Sequence, residues 1–254
     1  MEVVGHGGAG HYFPGNGRES IEHALAIGVD RIEFDVQQAG DGTIVLLHDE
    51  HARINGRKIA VRSLDVPTLR AHFSGLLTLA EAVELIGPEM PMVIDMKFSG
   101  YEPALANEIR ELDIAGRSIV ASTYAWSLSL VGRKAKGVQL GLSLGHIANQ
   151  KHLKRIPRLM LPLATVGMPL PLVTTAKAIG AKHVMLSYRA CSPELFRLTK
   201  RAGLGVYVWT VDDESAIRRM AKLRPTGIIS NRPDLVKEVL AESDTFEKEI
   251  DQIT

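Results

Sequence analysis

The chain has a single cysteine, Cys191, among 254 residues. An internal disulfide and a zinc cage built from cysteines are therefore excluded. No excess of one charge is present either: 30 basic residues stand against 29 acidic ones, so no overall field points to nucleic acid or to an anionic membrane. No apolar run approaches the roughly 20 residues needed to cross a bilayer, so no transmembrane segment is expected. Glu2-Val3-Val4 enters a strand pattern at once, without the basic and apolar regions of an export signal, and a soluble cytoplasmic protein is the expectation. Nor does any linker rich in Gly, Pro or Ser divide the chain, and no short-period repeat is found. With 45% hydrophobic residues the core can be large, and residues 1–254 read as one domain.

Short apolar segments alternate with longer amphipathic ones throughout. Strands are expected near 2–6, 31–36, 43–47, 91–97, 118–123, 138–144, 182–187, 205–210 and 226–230. Helices are expected near 18–27, 79–86, 102–112, 125–135, 168–179, 192–202, 213–223 and 232–241. That order argues for parallel strands joined by crossover helices. Eight such units plus one extra strand suit a single (β/α)8 TIM barrel in the α/β class. Gly28, Gly116, Gly180, Gly203 and Gly227 fall where helices must end, and Ser192-Pro193-Glu194 opens a helix with a cap and a proline. Two regions resist the scheme. Residues 50–78 hold charged pieces and a short helix but no strand–helix unit. Residues 146–172 are basic, then apolar and broken by prolines. They read as an irregular loop, or alternatively as a rim for a lipid-like substrate or a peripheral membrane contact.

Active sites of such barrels form at the carboxyl ends of the strands. In residues 31–36 the apolar Ile32, Phe34 and Val36 alternate with Glu33 and Asp35, which puts both carboxylates on one face. Two acids so close repel unless a cation lies between them. Other strand ends deliver His6, His48, Asp95, Lys97, Ser122, Tyr124, Ser187, Tyr188, Trp209, Asp212 and Asn231, whereas Glu2, Arg31 and Lys182 at strand starts read as surface charges. Any one acid could be half of a salt bridge. Glu33, Asp35 and Asp95 together offer hard oxygen ligands suited to Mg2+ or Ca2+. Zinc, with His6, His11 and His48, is the competing metal. His6 and His48 are more useful as proton-transfer groups. Lys97, Tyr124, Tyr188 and Trp209 are the candidate substrate contacts. A metal, a lysine and two histidines suit a phosphate-bearing substrate at which a bond breaks. The Gly5-His-Gly-Gly-Ala-Gly10 run fits a dinucleotide fingerprint, but loop sequence follows it where a helix should open.

These residues resemble the glycerophosphodiester phosphodiesterase family, to which the sphingomyelinase D phospholipases of spider-toxin type are related. The resemblance rests on His6-Gly-Gly8, Pro14-Gly-Asn-Gly17, Gly28 to Val36, Asp41-Gly42, His48-Asp49 and Asp95-Met-Lys97. It continues in Gly203 to Val211 and Thr226 to Pro233. It implies a (β/α)8 barrel, a divalent cation on Glu33, Asp35 and Asp95, His6 and His48 as acid and base, and Lys97 on the phosphate. The implied reaction is attack on phosphorus by a hydroxyl of the substrate's own glycerol, giving a cyclic phosphate that water then opens. The implied partner is a small phosphodiester. Gly7 stands where the family has a phosphate-binding arginine, leaving Arg18 and Arg53 as candidates to supply that charge. A phospholipase D-like activity on lysolipids and a non-catalytic phosphate-binding barrel are the alternatives. Oligomeric state is left open.

Overall fold

A computed structural model describes residues 1–144 and 169–251. In chain order its strands are β1 (Glu2–His6), β2 (Arg31–Gln38), β3 (Ile44–Leu46), β4 (His51–Ile54), β5 (Arg57–Ala60), β6 (Met92–Met96), β7 (Ser118–Ser122), β8 (Gln139–Leu144), β9 (His183–Ser187), β10 (Gly205–Trp209) and β11 (Gly227–Ser230). Its helices are α1 (Arg18–Ile27), α2 (Val66–Arg70), α3 (Leu79–Ile86), α4 (Glu102–Glu111), α5 (Ala125–Lys134), α6 (Pro169–Ala178), α7 (Pro193–Arg201), α8 (Glu214–Ala221) and α9 (Pro233–Asp251).

Eight strands, in the order β1-β2-β6-β7-β8-β9-β10-β11, pair in parallel, and β1 closes the ring by pairing with both β2 and β11. The expected barrel is present. The extra strand β3 pairs antiparallel with β2 as an edge. Two apolar layers follow from the strand period. Outward-facing residues such as Ile32, Phe34, Ile94, Val184 and Val206 pack under the helices. Inward-facing Val4, Val93, Ile119, Ala121, Met185, Tyr207 and Ile229 fill the barrel. Local chemistry agrees with the boundaries. Gly28 ends α1 in the left-handed region at φ 76°, and the Ser192 hydroxyl caps α7 by accepting from the Leu195 N–H at 3.1 Å.

Two expectations need amendment. Residues 50–78 do contain the short helix α2, but also an antiparallel hairpin, β4–β5, turned by Asn55 (φ 49°) and Gly56 (φ 75°). Glu2 and Arg31 are not free surface charges. They form an ion pair at 2.9 Å at the amino-terminal end of the strands, and the Tyr207 hydroxyl donates to Glu2 at 2.8 Å. Gly227 leaves the space for that ring, since a β-carbon there would meet it at 2.7 Å. This network floors the barrel. The expected helix near 168–179 is α6. Residues 145–168, and with them most of the basic and apolar stretch read as a lipid rim, lie outside the described residues.

Candidate active site

Strand register assembles the site. Parallel pairing sets His6 beside Glu33 across β1 and β2, and Asp35 beside Asp95 across β2 and β6. All four side chains face inward at the carboxyl ends. One oxygen from each of Glu33, Asp35 and Asp95 lies within 4.8 Å of the others. Lys97 sits against two of these acids, with its Nζ 2.7 Å from Asp35 Oδ1 and 2.7 Å from Asp95 Oδ2. Asn16 reaches in from the β1–α1 loop. Its amide donates to Asp35 Oδ2 at 2.8 Å, and its carbonyl accepts the Asp35 backbone N–H at 2.8 Å. Asn16 holds φ 67° to do so, a conformation asparagine tolerates better than most residues. The Gly7 N–H donates to Glu33 Oε2 at 3.0 Å.

Burial makes these charges strong. It pushes the Glu33 carboxyl up to about 7, reinforced by repulsion from Asp35. Burial also opposes ionisation of Asp35, but the Lys97 ammonium outweighs it and holds that carboxyl below its usual range. Asp95 is raised, chiefly by burial. Burial works against charge on Lys97 and His6 as well, yet both are raised because the carboxylates outweigh it. Asp35 Oδ1 is buried and accepts no hydrogen bond; the ammonium beside it is a close charge without donor geometry. Were all three carboxylates ionised, the Lys97 ammonium would leave two negative charges to be met. A divalent cation on Glu33, Asp35 and Asp95 would neutralise them and use the orphaned oxygen, so the residues fit hard-metal binding.

The two histidines are held by their Nδ1 atoms. His6 Nδ1 lies 2.7 Å from Asn231 Oδ1 and His48 Nδ1 2.9 Å from Asp49 Oδ1, which leaves each Nε2 for other work. His6 Nε2 is 4.0 Å from Glu33. Gln37, buried at the end of β2, donates to the carbonyls of Leu47 and Asp49 at 2.8 and 2.9 Å, clamping the segment that carries His48. A cavity of about 380 Å3 opens here, with His6, Glu33, His48, Asp95 and Lys97 on its polar side. Phe98, Tyr124, Met185, Trp209 and Ile229 supply apolar wall.

Of the sequence-predicted residues, His6, Glu33, His48, Asp95, Lys97, Tyr124 and Trp209 line this cavity, and Asp35 lies directly behind it. Tyr188 does not line it. Its ring packs against the guanidinium groups of Arg189 and Arg219, at 5.3 and 5.8 Å, because Ser187 rather than Tyr188 takes the inward position that follows Met185. Arg18 pairs with Glu22 on α1 at 3.6 Å and Arg53 lies on the hairpin; neither lines the cavity. Lys97 is its cationic wall among the described residues. Any L side chain at position 7, arginine included, would be strained here: φ is 54°, and a β-carbon would crowd Asn16 N at 3.0 Å. Asn16 and Gln37 are site residues absent from the sequence candidates, although Gln37 continues the alternation of Glu33 and Asp35 to the end of β2. The asparagine in the Pro14–Gly17 run is the one available signal for the first.

A parallel barrel with acids, two histidines and a lysine converging at its carboxyl-end mouth is a TIM barrel of enzyme type, with a site whose charges suit a phosphate ester. The chain belongs to the glycerophosphoryl diester phosphodiesterase family, whose model matches residues 6–235, and is thereby a phosphoric diester hydrolase. A glycerophosphodiester phosphodiesterase from Caldanaerobacter subterraneus subsp. tengcongensis is 28% identical over 91% of this chain and 94% of its own length. One from Bacillus altitudinis is 25% identical over 95% and 98%. Among solved structures, a glycerophosphodiester phosphodiesterase from Thermotoga maritima superposes with TM-score 0.72 at 21% identity, covering 94% of this chain and 98% of its own. An Oleispira antarctica phosphodiesterase, solved with the product sn-glycerol-3-phosphate, superposes with TM-score 0.76 at 17% identity, covering 95% and 97%. No helix among the described residues is long and apolar enough to cross a membrane.

Proposed function

We propose that the protein is a metal-dependent phosphodiesterase that cleaves small glycerophosphodiesters to an alcohol and glycerol phosphate. The observation that carries this reading is the convergence of Glu33, Asp35 and Asp95 with His6, His48 and Lys97 around one cavity. Its size suits a small ligand rather than a polymer. The product complex of the Oleispira relative supports glycerol phosphate as one half of the substrate. A Mg2+ or Ca2+ ion held by the three carboxylates would polarise a phosphoryl oxygen and neutralise charge gathering there.

The remaining steps fall to the chain itself. Lys97 donates to Asp95, lies against Asp35, and keeps an N–H for a phosphate oxygen. One histidine takes the proton from the attacking hydroxyl of the substrate's glycerol as its oxygen bonds to phosphorus. The other gives a proton to the departing alcohol oxygen as the old P–O bond breaks. A cyclic phosphate results, and the same pair, with roles exchanged, admits water to open it. The apolar wall of Phe98, Met185 and Trp209 limits access of bulk water.

The test is phosphorus NMR of purified protein with a panel of glycerophosphodiesters and with Mg2+, Ca2+ or EDTA. Metal-dependent appearance of glycerol phosphate, with or without a transient cyclic signal, is expected. Absence of metal-dependent cleavage across the panel would overturn the reading.

A further inference from the structure

Asp212, on the segment after β10, touches neither the cavity nor any acid of the cluster, yet three donors converge on it. The Ser230 hydroxyl donates to Oδ1 at 3.0 Å, the Asn231 backbone N–H to Oδ1 at 2.8 Å, and the Asn231 side-chain amide to Oδ2 at 2.8 Å. A carboxylate only accepts, so it obliges the Asn231 NH2 to face it and turns the Asn231 Oδ1 the other way. That oxygen meets His6 Nδ1 at 2.7 Å. Asn231 Oδ1 also only accepts, so neutral His6 must carry its proton on Nδ1 and leave Nε2 bare toward the cavity. Gly10 keeps this channel open, since a β-carbon there would stand 2.7 Å from Asn231 Oδ1.

We infer that Asp212 is a positioning residue which sets the tautomer of His6 through the amide of Asn231. The consequence for catalysis rests on the phosphodiesterase reading; the tautomer itself does not. Replacing Asp212 by asparagine puts an NH2 where the acceptor was. Asn231 then gains by turning over, its own NH2 faces His6 Nδ1, and the imidazole proton must move to Nε2. Exchanging both residues, Asp212→Asn with Asn231→Asp, restores an acceptor beside Nδ1 and leaves the amide introduced at position 212 free to donate to it.

Long-range 1H–15N correlation spectra of the histidine rings, recorded at alkaline pH where the ring is neutral, read this directly. Wild type should show His6 protonated at Nδ1, Asp212→Asn at Nε2, and the double exchange at Nδ1 again. In turnover, Asp212→Asn should lose about 10–100-fold in kcat, the range seen when partners that orient a working imidazole are removed. KM should stay within about twofold, since ground-state binding is untouched, and the double exchange should recover most of the loss. An unchanged His6 tautomer in Asp212→Asn, or a double exchange no better than the single one, would overturn the assignment. If wild type cleaves no phosphodiester, the function reading fails alone and the spectra still decide the tautomer.

Discussion

Glu33→Gln should stabilise the metal-free protein while inactivating it. Glu33 is buried, its carboxyl pushed up to about 7 from an ordinary 4.5 by burial and by Asp35. An acid whose folded pKa lies above its unfolded value disfavours the fold when ionised. The penalty is absent below pH 4.5, grows through the interval up to about 7, and is constant above it. At about 1.4 kcal/mol per pH unit the full penalty is about 3 kcal/mol, and relaxation of the site reduces it to roughly 2–3 kcal/mol. Glutamine keeps the shape and, through its carbonyl, the bond from the Gly7 N–H, but carries no charge. In EDTA at pH 8 the variant should therefore melt about 4–12 °C higher, at roughly 2–4 °C per kcal/mol for a chain of this size. At pH 5 the gain should shrink below about 1 kcal/mol. Added Mg2+ should raise the melting point of wild type and leave the variant nearly unmoved, because one ligand is gone. Urea or thermal denaturation at the two pH values suffices as the assay. A variant less stable than wild type at pH 8, or a gain equal at both pH values, would refute the picture of an acid cluster held in tension for a cation.

The other members of the site give sharper losses. Lys97→Met should destabilise the metal-free fold by about 3–5 kcal/mol, because Asp35 and Asp95 lose their buried counter-charge; chemical denaturation in EDTA measures it, and rescue by Mg2+ should be partial. Asn16→Ala should weaken metal binding about 10–100-fold by releasing Asp35 Oδ2 and the Asp35 N–H, which calorimetric titration of Mg2+ or Ca2+ would report; unchanged affinity would show that Asn16 only shapes the loop. His48→Ala should lose about 10²–10⁴-fold in kcat with the circular dichroism spectrum unchanged, and full activity in that variant would remove His48 from the proton transfers.

The barrel was legible because two periodicities run the length of the chain. Inward and outward residues alternate on strands as regular as Arg31 to Val36, and glycine or a capping side chain marks helix ends such as Gly28 and Ser192. The acid cluster was legible for the same reason, since alternation alone puts Glu33 and Asp35 on one face and parallel register brings Asp95 alongside. Tyr188 shows the limit of counting strand ends: one residue of parity separates the cavity from the helical layer, and Ser187 held the inward place. The β4–β5 hairpin was hidden by strands of four residues with little apolar alternation, although Asn55-Gly56 is itself a hairpin signal. Asn16, Gln37 and Asp212 act through hydrogen bonds made by loops and strand ends, and no local pattern encodes which distant backbone or side chain a loop amide will meet.

Closure of the barrel also orders its assembly in time. The contact between His6 and Asn231 joins residues 225 positions apart, across the β1–β11 pairing. A chain synthesised just past β6 already contains every carboxylate of the cluster and the lysine between them. His6, made among the first residues, has no partner to fix its ring until the last strand is laid beside it, since the most non-local pairings form late. A growing chain therefore carries the acid cluster, and His48 with its partner Asp49, well before the His6 ring can meet Asn231, and that contact arrives with the final strand.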